Sequence, residues 1–297
     1  MIFSFSRFGL LAAIGVVTIV ISQSASAKTA KEVAQIAIPT TVRIDNLLHS
    51  NYGGSGVIIG KNRNIYTVLT ASHVVGNLKN KYSIRTSNKN KYRIISLQNL
   101  QKTENDPDLA IVKFESTKEY PVAPISNSDQ AVIGTDVYIS GYPMSIKDNT
   151  EREYEFRKGQ IISRFESKPQ GYTMRYHPVM ARGTSGGPVF DVSGRVIGIH
   201  GQGNSDPISY NAVMRSSMSD PVIRINRQSD RYGTSEVETE IKIGYSAAVP
   251  INTFKKLIFQ AGIKVTFKED NSPIENLKAT QPTKSEVRSW EEDFATQ

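Results

Sequence analysis

Between Lys31 and Phe114 the chain is broken into short runs of β-branched and aromatic residues: PTTVRI, SGVIIG, NIYTVLTA, YSIRTS, YRIISL and DLAIVKF. Gly, Asn, Lys and Asp fill the gaps between them. Each run suits one strand and is too short for a helix, and the separators are residues that turns favour. Such spacing restricts this half to a sandwich or a small barrel. The second half repeats the manner with DVYISGYP, EYEFRKGQIISRF, GYTMRYHPVM, GGPVFDV, RVIGIHG and EIKIGYSAAVPI. The connecting stretch ESTKEYPVAPISNSDQAV carries two prolines and several polar residues, which divides the chain into a domain at 28–120 and another at 121–262. INTFKKLIFQAG sets Phe254, Leu257 and Ile258 on one face before Gly262, predicting a terminal helix over 251–261. Residues 204–240 are too long and polar for a simple connection and are read as an insertion. The polar stretch 263–297, with Pro273 and Pro282, reads as a flexible tail.

At the other end, Arg7 precedes an apolar run from Phe8 to Ile21 that closes on Ala25-Ser26-Ala27. A short basic region, an apolar core and a small-residue site predict a signal peptide over 1–27. The competing reading is an uncleaved anchor, for which the run is short. The expected product is secreted or periplasmic, with no stable membrane insertion after cleavage. There is no cysteine, so neither disulfides nor thiol chemistry contribute and packing must supply stability. The formal charge is +8, with lysines dense in KNKYSIRTSNKNKYR at 79–93. That stretch alternates like a strand pair with a wet face, so a solvated basic surface is expected rather than a nucleic-acid partner.

The stretch ARGTSGGPVF, residues 181–190, places Ser185 among three glycines directly before a β-like segment. A glycine-rich hairpin turn would account for it. So would a loop sharp enough to aim backbone amides and a serine hydroxyl at one point, as acyl-transfer chemistry requires. Such a serine needs a base, and the base needs a group that fixes its tautomer. His73, in YTVLTASHVVG, stands where an apolar strand gives way to a turn, although a lone histidine there also suits a structural role. Asp108, in NDPDLAIVKF, directly precedes a buried-type strand, where a carboxylate needs a partner such as an imidazole N–H. Asp106, just before Pro107, suits a turn acceptor instead.

LTASHVV, DPDLAIVKF and GTSGGPVFDVSGRVIGIHG, in the order His, Asp, Ser, resemble the chymotrypsin-fold serine proteases over residues 33–262. The similarity is greatest to bacterial glutamyl endopeptidases and to the protease domains of HtrA proteins, here without a following PDZ domain. The resemblance implies an all-β fold of two six-stranded antiparallel β-barrels with a C-terminal helix and a cleft between them. It implies a serine endopeptidase working through an acyl-enzyme, with His73, Asp108 and Ser185 as triad and the amides of Gly183 and Ser185 as oxyanion hole. Protein or peptide substrates, no metal or organic cofactor and a monomeric enzyme are expected; an inactive binding protein of the same fold is the alternative.

Departures bear on specificity. Thr184 stands where trypsin-like enzymes carry the aspartate that captures a new N-terminus. Val179 stands where a trypsin has its pocket acid, which argues against cleavage after Lys or Arg. His200 matches the histidine with which glutamyl endopeptidases hold the substrate carboxylate, implying a preference for Glu before the cut. Met180 replaces a hydroxyl those enzymes use for the same purpose, leaving an apolar pocket as the alternative unless Arg182 or Arg215 compensates. The leader predicts that N-terminal sequencing of the exported protein begins at Lys28; an intact Met1 in a membrane fraction would establish the anchor instead.

Overall fold

The computed structural model describes residues 27–49, 52–77, 81–144, 151–208, 222–225 and 239–272; all but Ala27 of the expected signal peptide lies outside them. Strands β1 (Thr41–Asn46), β2 (Gly53–Asn62), β3 (Ile65–Thr70), β4 (Tyr82–Arg85), β5 (Lys91–Asn99) and β6 (Ala110–Glu115) close into an antiparallel barrel of order β1-β2-β3-β6-β5-β4. A short helix α2 (Ser72–Val75) follows β3. The second barrel is built from β7 (Asp136–Gly141), β8 (Glu155–Arg164), β9 (Met174–His177), β10 (Pro188–Asp191), β11 (Val196–Ile208) and β13 (Thr239–Pro250). It closes through the β11–β13 pairing, and β12 (Val222–Ile225) adds to β13 beyond the barrel. Helix α3 (Ile251–Gln260) follows. Among the described residues no helix is long and apolar enough to cross a membrane.

The strand runs are apolar on consecutive residues because both of their faces are covered. Side chains alternate across a strand, and here Ile58, Val68 and Val112 fill the first barrel while Val57, Leu69 and Ile111 face outward. The second barrel repeats this, with Val189, Ile197 and Ala248 inside and Phe190, Ile199 and Val249 outside. The outward sets meet in one shared core between the barrels, joined by Phe254 and Ile258 of α3. The two barrels are therefore welded by the same kind of burial that forms each of them.

Four features differ from expectation or extend it. The chain enters as a helix, α1 (Ala30–Thr40), rather than as β-like runs from Lys31. Thr29 Oγ1 accepts the Glu32 amide at 3.3 Å and Glu32 Oε2 accepts the Thr29 amide at 2.8 Å, a reciprocal cap that starts the helix. Val33 and Ala37 of α1 are buried in the shared core. The basic stretch supplies the β4–β5 hairpin, and β5 alternates exposed and half-buried positions. The expected insertion begins as ladder, since β11 and β13 stay in register out to Ile208 opposite Ile241.

Residues 263–272 do not behave as the flexible tail assigned to them. Ile263, Val265 and Phe267 pack on the shared core, and Ile125 pairs with Glu269. The strand β2 passes so near that a Cβ on Gly60 would lie 2.0 Å from the Thr266 carbonyl oxygen. Arg195 completes the attachment: it donates to Asp191 Oδ2 at 2.7 Å and to the Ser272 carbonyl at 2.6 Å. Arg195 and Asp191 are essentially inaccessible to solvent. Replacing Arg195 by leucine strands the carboxylate, so urea unfolding of Arg195→Leu is expected to show a loss of about 3–5 kcal/mol.

Candidate active site

His73 sits in α2, where the chain leaves the rim of the first barrel, and Asp108 lies just before β6 on the neighbouring strand edge. Asp108 Oδ1 accepts the His73 backbone amide at 2.9 Å, and Oδ2 meets His73 Nδ1 at 2.5 Å. The Tyr172 hydroxyl donates to the same Oδ2. Burial alone would raise the Asp108 carboxyl, but the hydrogen bond and charge of His73, helped by Tyr172, outweigh it and hold the group below its usual range. An ionised Asp108 makes Nδ1 the protonated nitrogen of the neutral ring and leaves Nε2 as its acceptor. Asp106 is engaged elsewhere: its carboxylate accepts the amides of Lys102 and Thr103 and closes a turn.

The glycine loop is folded as tightly as its composition requires. Gly183 and Gly186 have φ of 92° and 83°, and a Cβ on Gly186 would fall 2.1 Å from the Ser55 carbonyl oxygen. No other residue type fits there without moving the first barrel. Thr184 Oγ1 donates to the Ala181 carbonyl at 2.7 Å, closing the turn from within. The Arg182 carbonyl accepts the Met144 amide at 2.7 Å. A trans peptide points its N–H opposite its C=O, so the Gly183 N–H is turned away from Met144. Among the described residues, neither the Gly183 nor the Ser185 amide donates to a carbonyl. Ser185 Oγ donates to the Gly201 carbonyl at 3.2 Å.

Beneath this loop lies a cation that sequence reasoning missed. Arg152 is 9% exposed and donates to the carbonyls of Tyr142, Ile44 (3.2 Å), Gly54 (2.9 Å) and Gly183 (3.0 Å). Ser55 Oγ also donates to Gly183 O, at 2.9 Å. Burial lowers the guanidinium to about 10, with Asp45 opposing the shift, so it stays charged at neutral pH. His73, Gly183 and Ser185 open on one cleft of about 710 Å³, whose walls include Tyr52, Tyr82, Met144 and Arg182. His73 reaches it with a side chain that is 47% exposed.

The residues expected to hold the substrate side chain are not alike. His200 is buried in β11, with Nδ1 2.7 Å from the Tyr176 hydroxyl, and burial, then the charge of His73, push it down to about 3. At neutral pH it is uncharged. Val179 is half-buried, and its Cγ1 would lie 3.6 Å from a Cβ on Gly203 of β11. Met180 is buried, its side chain packed in the core of the second barrel. The Ser246 hydroxyl accepts the Met180 amide at 2.9 Å and donates to the Pro178 carbonyl at 3.0 Å. Arg215 lies outside the described residues.

The trypsin-like peptidase domain family matches residues 54–199. The human serine protease HTRA4 is 26% identical over 60% of this chain and 38% of its own length. A glutamyl endopeptidase of Staphylococcus aureus is 29% identical over 49% of this chain and 42% of its own. A probable periplasmic serine endoprotease, DegP-like, of Pseudomonas putida is 26% identical over 55% of this chain and 32% of its own. The alignments thus span well under half the length of each relative. Because Arg152 pairs carbonyls on both sides of the cleft, Arg152→Met leaves several of them buried and unpaired. A loss of about 3–5 kcal/mol is expected, read as a lower denaturant midpoint with an unchanged m-value.

Proposed function

Because this chain carries a trypsin-like peptidase domain, we propose that it is a serine endopeptidase in which Ser185 attacks, His73 is the base and Asp108 orients the base. The observation that carries the reading is the buried Asp108 carboxylate 2.5 Å from His73 Nδ1, in a cleft that His73 shares with Ser185. Rotation of Ser185 about its Cα–Cβ bond exchanges Gly201 O for His73 Nε2, which takes the hydroxyl proton as Oγ adds to the scissile carbonyl. The amides of Gly183 and Ser185 then hold the oxyanion, each worth roughly 3 kcal/mol in such sites. Collapse of the adduct passes the proton from His73 to the leaving amine and leaves an acyl-enzyme. Water, activated by the same nitrogen, releases the acid and restores Ser185.

The preferred residue before the cut is glutamate in this proposal. Similar proteins of Staphylococcus aureus are named glutamyl endopeptidases, and His200 offers the matching chemistry. Burial raises the Tyr176 hydroxyl well above its usual value, so it remains a donor. By donating to His200 Nδ1 it leaves Nε2–H to bind a carboxylate. The neutral imidazole supplies a hydrogen bond rather than a resident charge, and Arg182 at the cleft adds a cation. Export accords with the leader and with the periplasmic DegP-like relative.

Purified protein is expected to be labelled by a fluorophosphonate probe and to cut peptides, and Ser185→Ala is expected to lose both activities while keeping its fold. Undiminished labelling of that variant would remove Ser185 from the mechanism. Among peptides carrying Glu, Gln, Leu or Lys before the scissile bond, kcat/KM should be highest for Glu. Equal rates for Glu and Gln would end the acidic preference and leave the triad standing.

A further inference from the structure

Asp108 Oδ2 accepts two hydrogen bonds, one from His73 and one from Tyr172. Tyr172 ends a turn of 3-10 geometry, Pro169–Gly171, in which the Gln170 carbonyl accepts the Asp108 amide at 3.0 Å. One short piece of chain from the second barrel therefore grips Asp108 by its backbone and by its carboxylate. The phenol is 6% exposed, and burial followed by the charge of Asp108 pushes its ionisation far above the usual value, so it donates at any working pH. Room for it comes from Gly201. A Cβ there would lie 2.1 Å from the Tyr172 hydroxyl oxygen and 2.5 and 2.7 Å from the ring carbons Cε1 and Cζ. The same Gly201 accepts Ser185 Oγ, so the glycine that admits the phenol also borders the nucleophile.

We propose that Tyr172 is a positioning residue of the triad and that Gly201 is the complementary gap that lets its hydroxyl reach Asp108. The inference rests on the triad reading above. The hydroxyl has two effects. It holds Oδ2 in the direction of His73 Nδ1, and it takes up part of the carboxylate's negative charge. Without it that charge bears on the imidazole alone and favours the imidazolium, so less free base is present at a given pH. The acid limb of the kcat/KM profile must then move to higher pH.

Tyr172→Phe removes one oxygen and keeps the packing. In the full chain, kcat is expected to fall about ten-fold with KM nearly unchanged, and the acid limb to move upward. The low-field proton resonance of His73 Nδ1–H, read by NMR, should shift as well. Wild-type kcat, profile and resonance in this variant would overturn the inference while leaving the triad intact. A wild-type protein with no hydrolase activity would instead defeat the proposed function, and the resonance would still report on Tyr172. A double-mutant cycle isolates the gap. Gly201→Ala is expected to damage the wild type but to add little to Tyr172→Ala, since the displaced phenol is then already absent. Additive losses would show that Gly201 does not act through Tyr172.

Discussion

Four backbone carbonyls, those of Ile44, Gly54, Tyr142 and Gly183, converge on the guanidinium of Arg152. They belong to β1, β2, the exit from β7 and the glycine loop. A buried carbonyl without a donor is costly, and a planar fork of five N–H groups serves several acceptors at once. A lysine, with one compact ammonium, has no such spread. The acceptors come from both barrels, so the cation fixes the floor of the cleft as well as its own position. The Gly183 carbonyl is bound from below, the Arg182 carbonyl by Met144, and the orientation of the intervening amide follows from those two contacts.

Much of this arrangement is legible in the sequence, for physical reasons. Two batches of short strand runs announce two β domains, and the resemblance to chymotrypsin-fold proteases implies that each closes into a barrel. The elements carrying His73, Asp108 and Ser185 are each marked by a strand end or a turn. Arg152 leaves no such mark. It stands in EREYEF, a charged stretch that by default faces water, and its acceptors at Ile44 and Gly54 are distant in sequence. Tyr172 likewise reads as one more aromatic in a strand-like segment, because nothing local reveals that Asp108 approaches its hydroxyl. Helix α1 had a readable signal, the Thr29 and Glu32 cap, obscured by the β-rich residues that follow it.

The chain beyond α3 crosses from the second barrel to the first, with the Thr266 carbonyl against Gly60 and Asp270 beside Ile125 and Arg195. That path has a consequence for the order of assembly. Synthesis delivers His73 and Asp108 early, Tyr172 and Ser185 well after them, and the crossing segment later still. The first barrel can close its own ladder while the remainder is still being made, yet its outward face has nothing to bury against until the second barrel arrives. The clasp over β2 exists only once the final described residues emerge. A nascent chain of this design carries the separate parts of a cleft through much of its synthesis, before the segment that joins the two barrels has been made.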